Sequence, residues 1–177
     1  MKAYQKVSNV SMVYSLNQMK YIEEKKILQG FVAMILCDYT LAQELFQKSS
    51  NRKLALELRC DIQDWGTALT LSETLSVDRV PMIRRKLAEQ QERQGNNQQA
   101  LKLFEKSQID NTAATAAEKR KHAKHNMLCL AGIARTSIKS GNVSRGYAIA
   151  TEIQDKEMCV EIASACEQMK QIDEAAT

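Results

Sequence analysis

Three side chains in one short stretch have the types and spacing to hold a metal ion. His122, His125 and Cys129 fall at i, i+3 and i+7, which on a helix brings them to one face, and imidazole nitrogens and thiolates are zinc ligands. No fourth ligand lies nearby in sequence, and His122 sits among Lys119, Arg120, Lys121 and Lys124, whose charge opposes a dication. No metal is expected. The same basic run has the composition of a nucleic-acid, phosphoinositide or import-receptor contact. No aromatic residue interleaves with it to stack on bases, and the 25 basic residues of the chain stand against 21 acidic ones, a net charge of only +4. It reads as a solvated linker, and nucleic acid is not an expected partner. A third cluster, Tyr21, Glu23, Glu24, Lys25 and Lys26, reads as the wet face of a first long helix, with Glu–Lys pairs along its surface that contribute little stability.

Local signatures of catalysis are absent. No acidic pair is flanked by Gly-rich turns or an aromatic wall, and neither a phosphate-cradling G-x-x-x-x-G-K-[ST] loop nor a G-x-G-x-x-G fingerprint occurs. The expectation is a protein without enzymatic activity or cofactor. The five cysteines, Cys37, Cys60, Cys129, Cys159 and Cys166, form no C-x-x-C pair and lie among apolar residues. They read as reduced core thiols. No segment approaches the roughly eighteen uninterrupted apolar residues of a membrane span, and the first residues lack the apolar core of a secretion signal. Direct membrane insertion is therefore not expected, and a cytosolic chain is.

The elements that position these residues are helices. Only one Pro and six Gly occur in 177 residues, 44% of which are hydrophobic, and Leu, Ala, Gln, Glu, Lys and Met, which lose least in a helix, are plentiful. A frame recurs five times: a polar turn residue, then a small residue four positions later. It reads Asp38 and Ala42, Asp64 and Ala68, Asn96 and Ala100, Asn142 and Gly146, Gln171 and Ala175. Twelve residues before each small anchor stand Gly30, Leu56, Ala88, Ala134 and Ala163. These are the offsets of a tetratricopeptide-type hairpin, in which two antiparallel helices approach closely only where their facing positions lack bulk. Phe46 and Phe104 follow their alanines by four, and Gly95 and Gly141 stand where a first helix must stop in the left-handed conformation.

The predicted fold is an all-α, tetratricopeptide-like α-solenoid of antiparallel helical hairpins. Helices are expected over 16–36, 39–48, 52–61, 65–75, 79–94, 97–106, 127–140, 143–153 and 156–170, with a last one opening near Gln171. Pro81 fits a first helical turn, with Asp78 as its cap. The anchors are spaced by 26, 32, 46 and 29 residues, and the long gap holds a polar, basic insert over 107–125. It has no large apolar side chain between Ile109 and Met127 and is expected to be an exposed loop or a loosely attached helix. The organisation is thus a flank over 1–13, repeats over 14–106, the insert, and repeats over 126–177, truncated at their end so that Ile162 and Met169 are left exposed.

Three stretches carry more than the generic pattern. Y-S-L-N-Q-M-K-Y-I-E-E-K-K-I-L from Tyr14, F-V-A-M-I-L-C-D-Y-T-L-A-Q-E-L-F from Phe31 and C-L-A-G-I-A-R-T-S-I-K-S-G-N-V-S-R-G from Cys129 resemble the solenoid of the WD-repeat subunits of intraflagellar transport complex A, from about Tyr14 to the end. The insert is longer than that family needs, and the paired amino-terminal β-propellers of the family are missing, so the resemblance implies a segment. It further implies a scaffold in retrograde ciliary transport and in admitting receptor cargo, located at the cilium or flagellum and basal body, with other complex A subunits and ciliary cargo adaptors as partners. A coatomer-like vesicle coat subunit and a free-standing tetratricopeptide adaptor are the alternatives. The adaptor is disfavoured because the residues four before the small positions, Lys26, Arg84, Leu130 and Cys159, do not form the uniform cationic series of a peptide clamp.

Overall fold

The structure, a computed structural model, describes residues 10–110, 115–153 and 155–175, with the side chains of all of these except 18 and 171–175. Ten α-helices and one 3₁₀ turn make up the described residues, which contain no strand. They form two compact units divided after Ser76. The first holds α1 (Val10–Met19), α2 (Lys25–Ile35), α3 (Tyr39–Gln47), α4 (Lys53–Asp61) and α5 (Trp65–Leu75). The second holds the 3₁₀ turn Val77–Arg79, then α6 (Val80–Arg93), α7 (Asn97–Lys106), α8 (Ala116–Lys139), α9 (Val143–Glu152) and α10 (Lys156–Ala175). The fold is the all-α, solenoid type expected, built of the antiparallel pairs α2–α3, α4–α5, α6–α7 and α8–α9.

One turn chemistry joins all four pairs. The residue after the first helix takes the left-handed conformation: Cys37 at φ 60°, Gln63 at 59°, Gly95 at 83° and Gly141 at 88°. Its N–H and that of the next residue close back onto the helix, as in Cys37 N–H to Met34 O (3.0 Å) and Asp38 N–H to Ala33 O (2.9 Å). That next residue starts the second helix. Asp38, Asp64 and Asn142 accept from the N–H of Leu41, Thr67 and Arg145, satisfying one donor left open at each helix start. Asn96 instead donates to Gln91 Oε1 at 2.8 Å.

Four boundaries differ from the sequence reading. The first long helix is broken: chain 20–24 is a turn between α1 and α2, and Glu24 is the N-cap residue of α2. Of the cluster only Lys25 and Lys26 are therefore helical, at the start of α2. Glu24 accepts from both the backbone N–H (3.0 Å) and the hydroxyl of Ser50, and these bonds hold its pKa below the ordinary carboxylate value. Asp78 lies in the 3₁₀ turn and Arg79 is the N-cap of α6, with Pro81 in the first turn.

The second half of the insert is helix. Thr115 and Glu118 form a reciprocal capping box that starts α8 at Ala116, so one 24-residue helix spans most of the insert and the following repeat helix. Finally, α10 runs unbroken through Gln171; M-K-Q-I-D-E-A-A contains no Gly or Pro to stop it.

Candidate interaction surfaces

The small positions are where helices meet. In the first unit Ala42 and Ala68 are fully buried, Phe46 is 1% exposed, and Gly30 is buried beneath the Phe46 ring. A Cβ on Gly30 would lie no farther than 2.9 Å from three carbons of that ring, which is closer than packing allows. Phe31 adds an edge-on contact to the same ring at 5.3 Å between centroids. In the second unit Ala88, Ala100 and Phe104 form one cluster with Ile133, and Ala134 joins Ala131, Ile138, Ile153 and Ile162 in another. Gly146 packs against Ile138 and the Ala134 carbonyl. Phe104 reaches past its own hairpin to Gly132 on α8, a contact that the A-x-x-x-F pattern did not assign.

The frame fails at its last unit. Ala163 is exposed on α10, and the buried face carries Ile162 (3% exposed) and Ala165 (4%) instead, with Met158, Cys159 and Met169 packed beside them. The expected turn at Gln171 had set the register, and the helix does not turn there. Ile162 and Met169 accordingly belong to the core of the unit, and Ala175 lies outside the residues whose side chains are described. Among the cysteines, all free, Cys129 is buried, Cys60 and Cys159 are half-buried, and Cys37 and Cys166 are exposed, so the all-core reading holds for one of them.

The hairpins α2–α3 and α6–α7 align without a gap at an offset of 58 residues, and the match extends to their polar ties. Lys26 Nζ donates to the Lys48 carbonyl and Arg84 Nη1 to the Lys106 carbonyl, each at 2.8 Å. These are the side chains a peptide clamp would use, and both are committed to carbonyls left open at the end of the second helix. The buried hydroxyls of Ser49 and Ser107 donate to the carbonyls of Phe46 and Phe104 at 2.7 and 2.8 Å.

Two of the three candidate metal ligands come together, in a hydrogen-bonded seam. His125 Nε2–H donates to the Ser107 carbonyl at 2.8 Å, and Cys129 Sγ lies 3.1 Å from Ser107 Oγ and 3.5 Å from His125 Nε2. The neighbouring Asn126 side chain accepts from Ile109 N–H and donates to Ile109 O, both at 2.8 Å. These bonds fasten the start of the insert to α8. Burial lowers the His125 pKa against the partial support of the Ser107 carbonyl, and burial raises that of Cys129, so a neutral imidazole and a thiol are the favoured forms.

A strongly charged concavity lies in the second unit, an open cleft of about 530 Å³ along α6, α8 and α10. At its floor Glu92, 8% exposed in its side chain, receives Arg135 through Nε and Nη2 at 3.1 Å each and Lys139 Nζ at 2.9 Å. Arg135 Nη1 reaches across to Glu161 at 2.8 Å. Burial pushes the Glu92 pKa up, but the hydrogen bonds and charge of Arg135 and Lys139 outweigh it and hold the carboxyl below its ordinary value. The floor is thus an ion network tying three first helices together, with its charges paired internally.

Among the described residues no group of three potential metal ligands converges, and no helix is long and apolar enough to cross a membrane. No protein-family model matches the chain. Over 175 residues, 99% of its length, it is 37% identical to WD repeat-containing protein 19 of Homo sapiens and 32% identical to WD repeat-containing protein dyf-2 of Caenorhabditis elegans. Over 170 residues it is 36% identical to WD repeat-containing protein 19 of Mus musculus. The chain spans 12% of the length of each of these relatives. It is homologous to one segment of them.

Proposed function

We propose that this chain, a relative of one segment of WD repeat-containing protein 19, is a non-enzymatic scaffold that binds other proteins within intraflagellar transport complex A. The observation that carries the reading is the likeness along 96–99% of the chain, at 32–37% identity, to WD-repeat proteins from nematode and mammals. An all-α repeat fold suits the role, because stacked helical repeats bind partners over extended surfaces, and several of its polar groups serve the packing itself. Glu92, Arg135 and Lys139 pair with one another, and Lys26 and Arg84 close helix ends. In this reading the protein works at the cilium, in retrograde transport and receptor admission, through other complex A subunits and cargo adaptors.

The test is rescue of ciliated cells lacking the full-length protein. Full-length protein is reintroduced with this segment intact or replaced by an unrelated helical repeat of equal length. The reading expects the replacement to reach normal abundance yet fail to restore receptor entry and return of transport particles. Full rescue by the replacement would remove the segment from the function. The peptide-adaptor alternative loses support because Lys26 and Arg84 are spent on carbonyls.

A further inference from the structure

The cleft along α6, α8 and α10 holds more positive charge than its carboxylates neutralise. Glu89 is shared by Lys86 Nζ, at 2.9 Å, and the Arg85 guanidinium, and Glu92 by Arg135 and Lys139. Glu161 pairs with Arg135. Arg93 lines the cleft as well, and its guanidinium meets no carboxylate among the described residues; its Nε donates to the Glu89 carbonyl at 3.2 Å. Five cations thus stand against three carboxylates. On the α10 wall, the exposed Ser164 and Gln168 carry side chains that make no hydrogen bond among the described residues. No residue of the second helices α7 and α9 lines the cleft, so stacking one hairpin on the next leaves it open.

We propose that this cleft binds an extended acidic segment of a partner protein, with its carboxylates set against Arg93, Lys86 and Lys139. Arg93, exposed and without an acidic partner, offers a carboxylate two parallel N–H donors. Lys86 stands seven residues before it, two turns along the same face of α6 and about 10 Å away. Three residues of extended chain cover about that distance, which calls for acidic residues three apart. Ser164 and Gln168 have the donors and acceptors to bind the backbone of such a segment. A polyanion such as nucleic acid is a poorer fit, because Glu89, Glu92 and Glu161 lie between the cations and would repel a continuous row of negative charge. These cations are off the offsets of a peptide clamp, where Arg84 closes the end of α7. The proposal rests on the reading that the chain holds other proteins, and binding to the isolated chain succeeds or fails apart from any role in ciliary transport.

The probe is a fluorescein-labelled decapeptide, G-E-S-A-E-S-A-E-S-G, followed by fluorescence anisotropy against the whole chain at low ionic strength. Saturable 1:1 binding is expected, weakened about tenfold or more by Arg93→Glu. Lys119→Glu makes a like charge change at an exposed residue outside the cleft and should weaken it less than about twofold. Gln168→Glu, which breaks no bond and adds a negative charge to the α10 wall, should weaken it about threefold or more. All three variants are first checked for wild-type circular dichroism. Absence of binding to the folded wild-type chain, equal binding of the same peptide with glutamine for glutamate, or equal weakening by Arg93→Glu and Lys119→Glu would overturn the proposal. So would tighter binding of a single-stranded oligothymidylate that Arg93→Glu abolishes, which assigns the cleft to a polyanion.

Discussion

The Phe104 ring lies on Gly132, 28 residues along the chain, with no room between them: a Cβ on that glycine would fall 2.5–2.7 Å from three ring carbons. Phe104 is fully buried and cannot swing out. Gly132→Ala should therefore overpack the α7–α8 contact and cost about 1–3 kcal/mol, read as a lower thermal midpoint. Gly66→Ala is the control. A Cβ there meets only Asp64 Oδ1 at 4.0 Å, and the change should leave stability unaltered or raise it by up to about 1 kcal/mol.

Ala100→Leu probes the other side of the same cluster. Ala100 is fully buried with Ala88, Phe104 and Ile133, so three added carbons have nowhere to go and should cost about 1–3 kcal/mol. An unchanged midpoint would show that the α6–α7 crossing is looser than its geometry.

The hairpin turns predict gains. Cys37 and Gln63 hold left-handed φ values that Gly95 and Gly141 adopt at the equivalent turns. Cys37→Gly and Gln63→Gly relieve a conformation that costs an L-residue about 1–2 kcal/mol, against an entropic penalty for glycine of about 0.5–1 kcal/mol. Each should raise the thermal midpoint slightly, and Gly95→Ala should lower it.

Much of this was legible in the residues. Asp38, Asp64, Asn96 and Asn142 mark the turns because a short polar side chain caps a helix start, and the small residue four positions on marks the crossing. What local spacing does not carry is whatever depends on a distant partner. Gly132 belongs to Phe104 of the preceding hairpin, and Glu92 to Arg135 and Lys139, 43 and 47 residues away. Glu24 reads as part of a charged helical face until Ser50 is placed against it. The last frame fails because Gln171 does not make a turn: Gln is a good helix former and nothing beside it breaks the helix.

The ion network and the histidine seam predict the pH response. Glu92 and His125 both have folded pKa values below their ordinary 4.5 and 6.5. The unfolded chain therefore takes up these protons more readily, and the stability involved is complete above the ordinary pKa and is lost as pH falls from it toward the folded value. Thermal midpoints should be flat between about pH 7 and 8, fall at higher pH as the unfolded chain ionises the Cys129 thiol that burial keeps neutral in the fold, drop below about pH 6.5 as His125 begins to protonate, and drop again below about pH 4.5 as Glu92 does. His125→Gln should flatten the first step. Glu92→Gln should shrink the second, to which Glu24 and Glu118 also contribute, and, at neutral pH, destabilise by about 1–3 kcal/mol by leaving Arg135 and Lys139 short of a counter-charge.

The central claim is that this chain holds other proteins of the ciliary transport machinery. The most direct measurement is affinity purification, from ciliated cells, of the full-length protein carrying this segment, with co-purifying proteins identified by mass spectrometry. The account predicts complex A subunits in near-stoichiometric amounts, and their selective loss when the segment is replaced by an unrelated helical repeat. Recovery of vesicle-coat proteins instead, or complex A recovery that the replacement leaves intact, would contradict it.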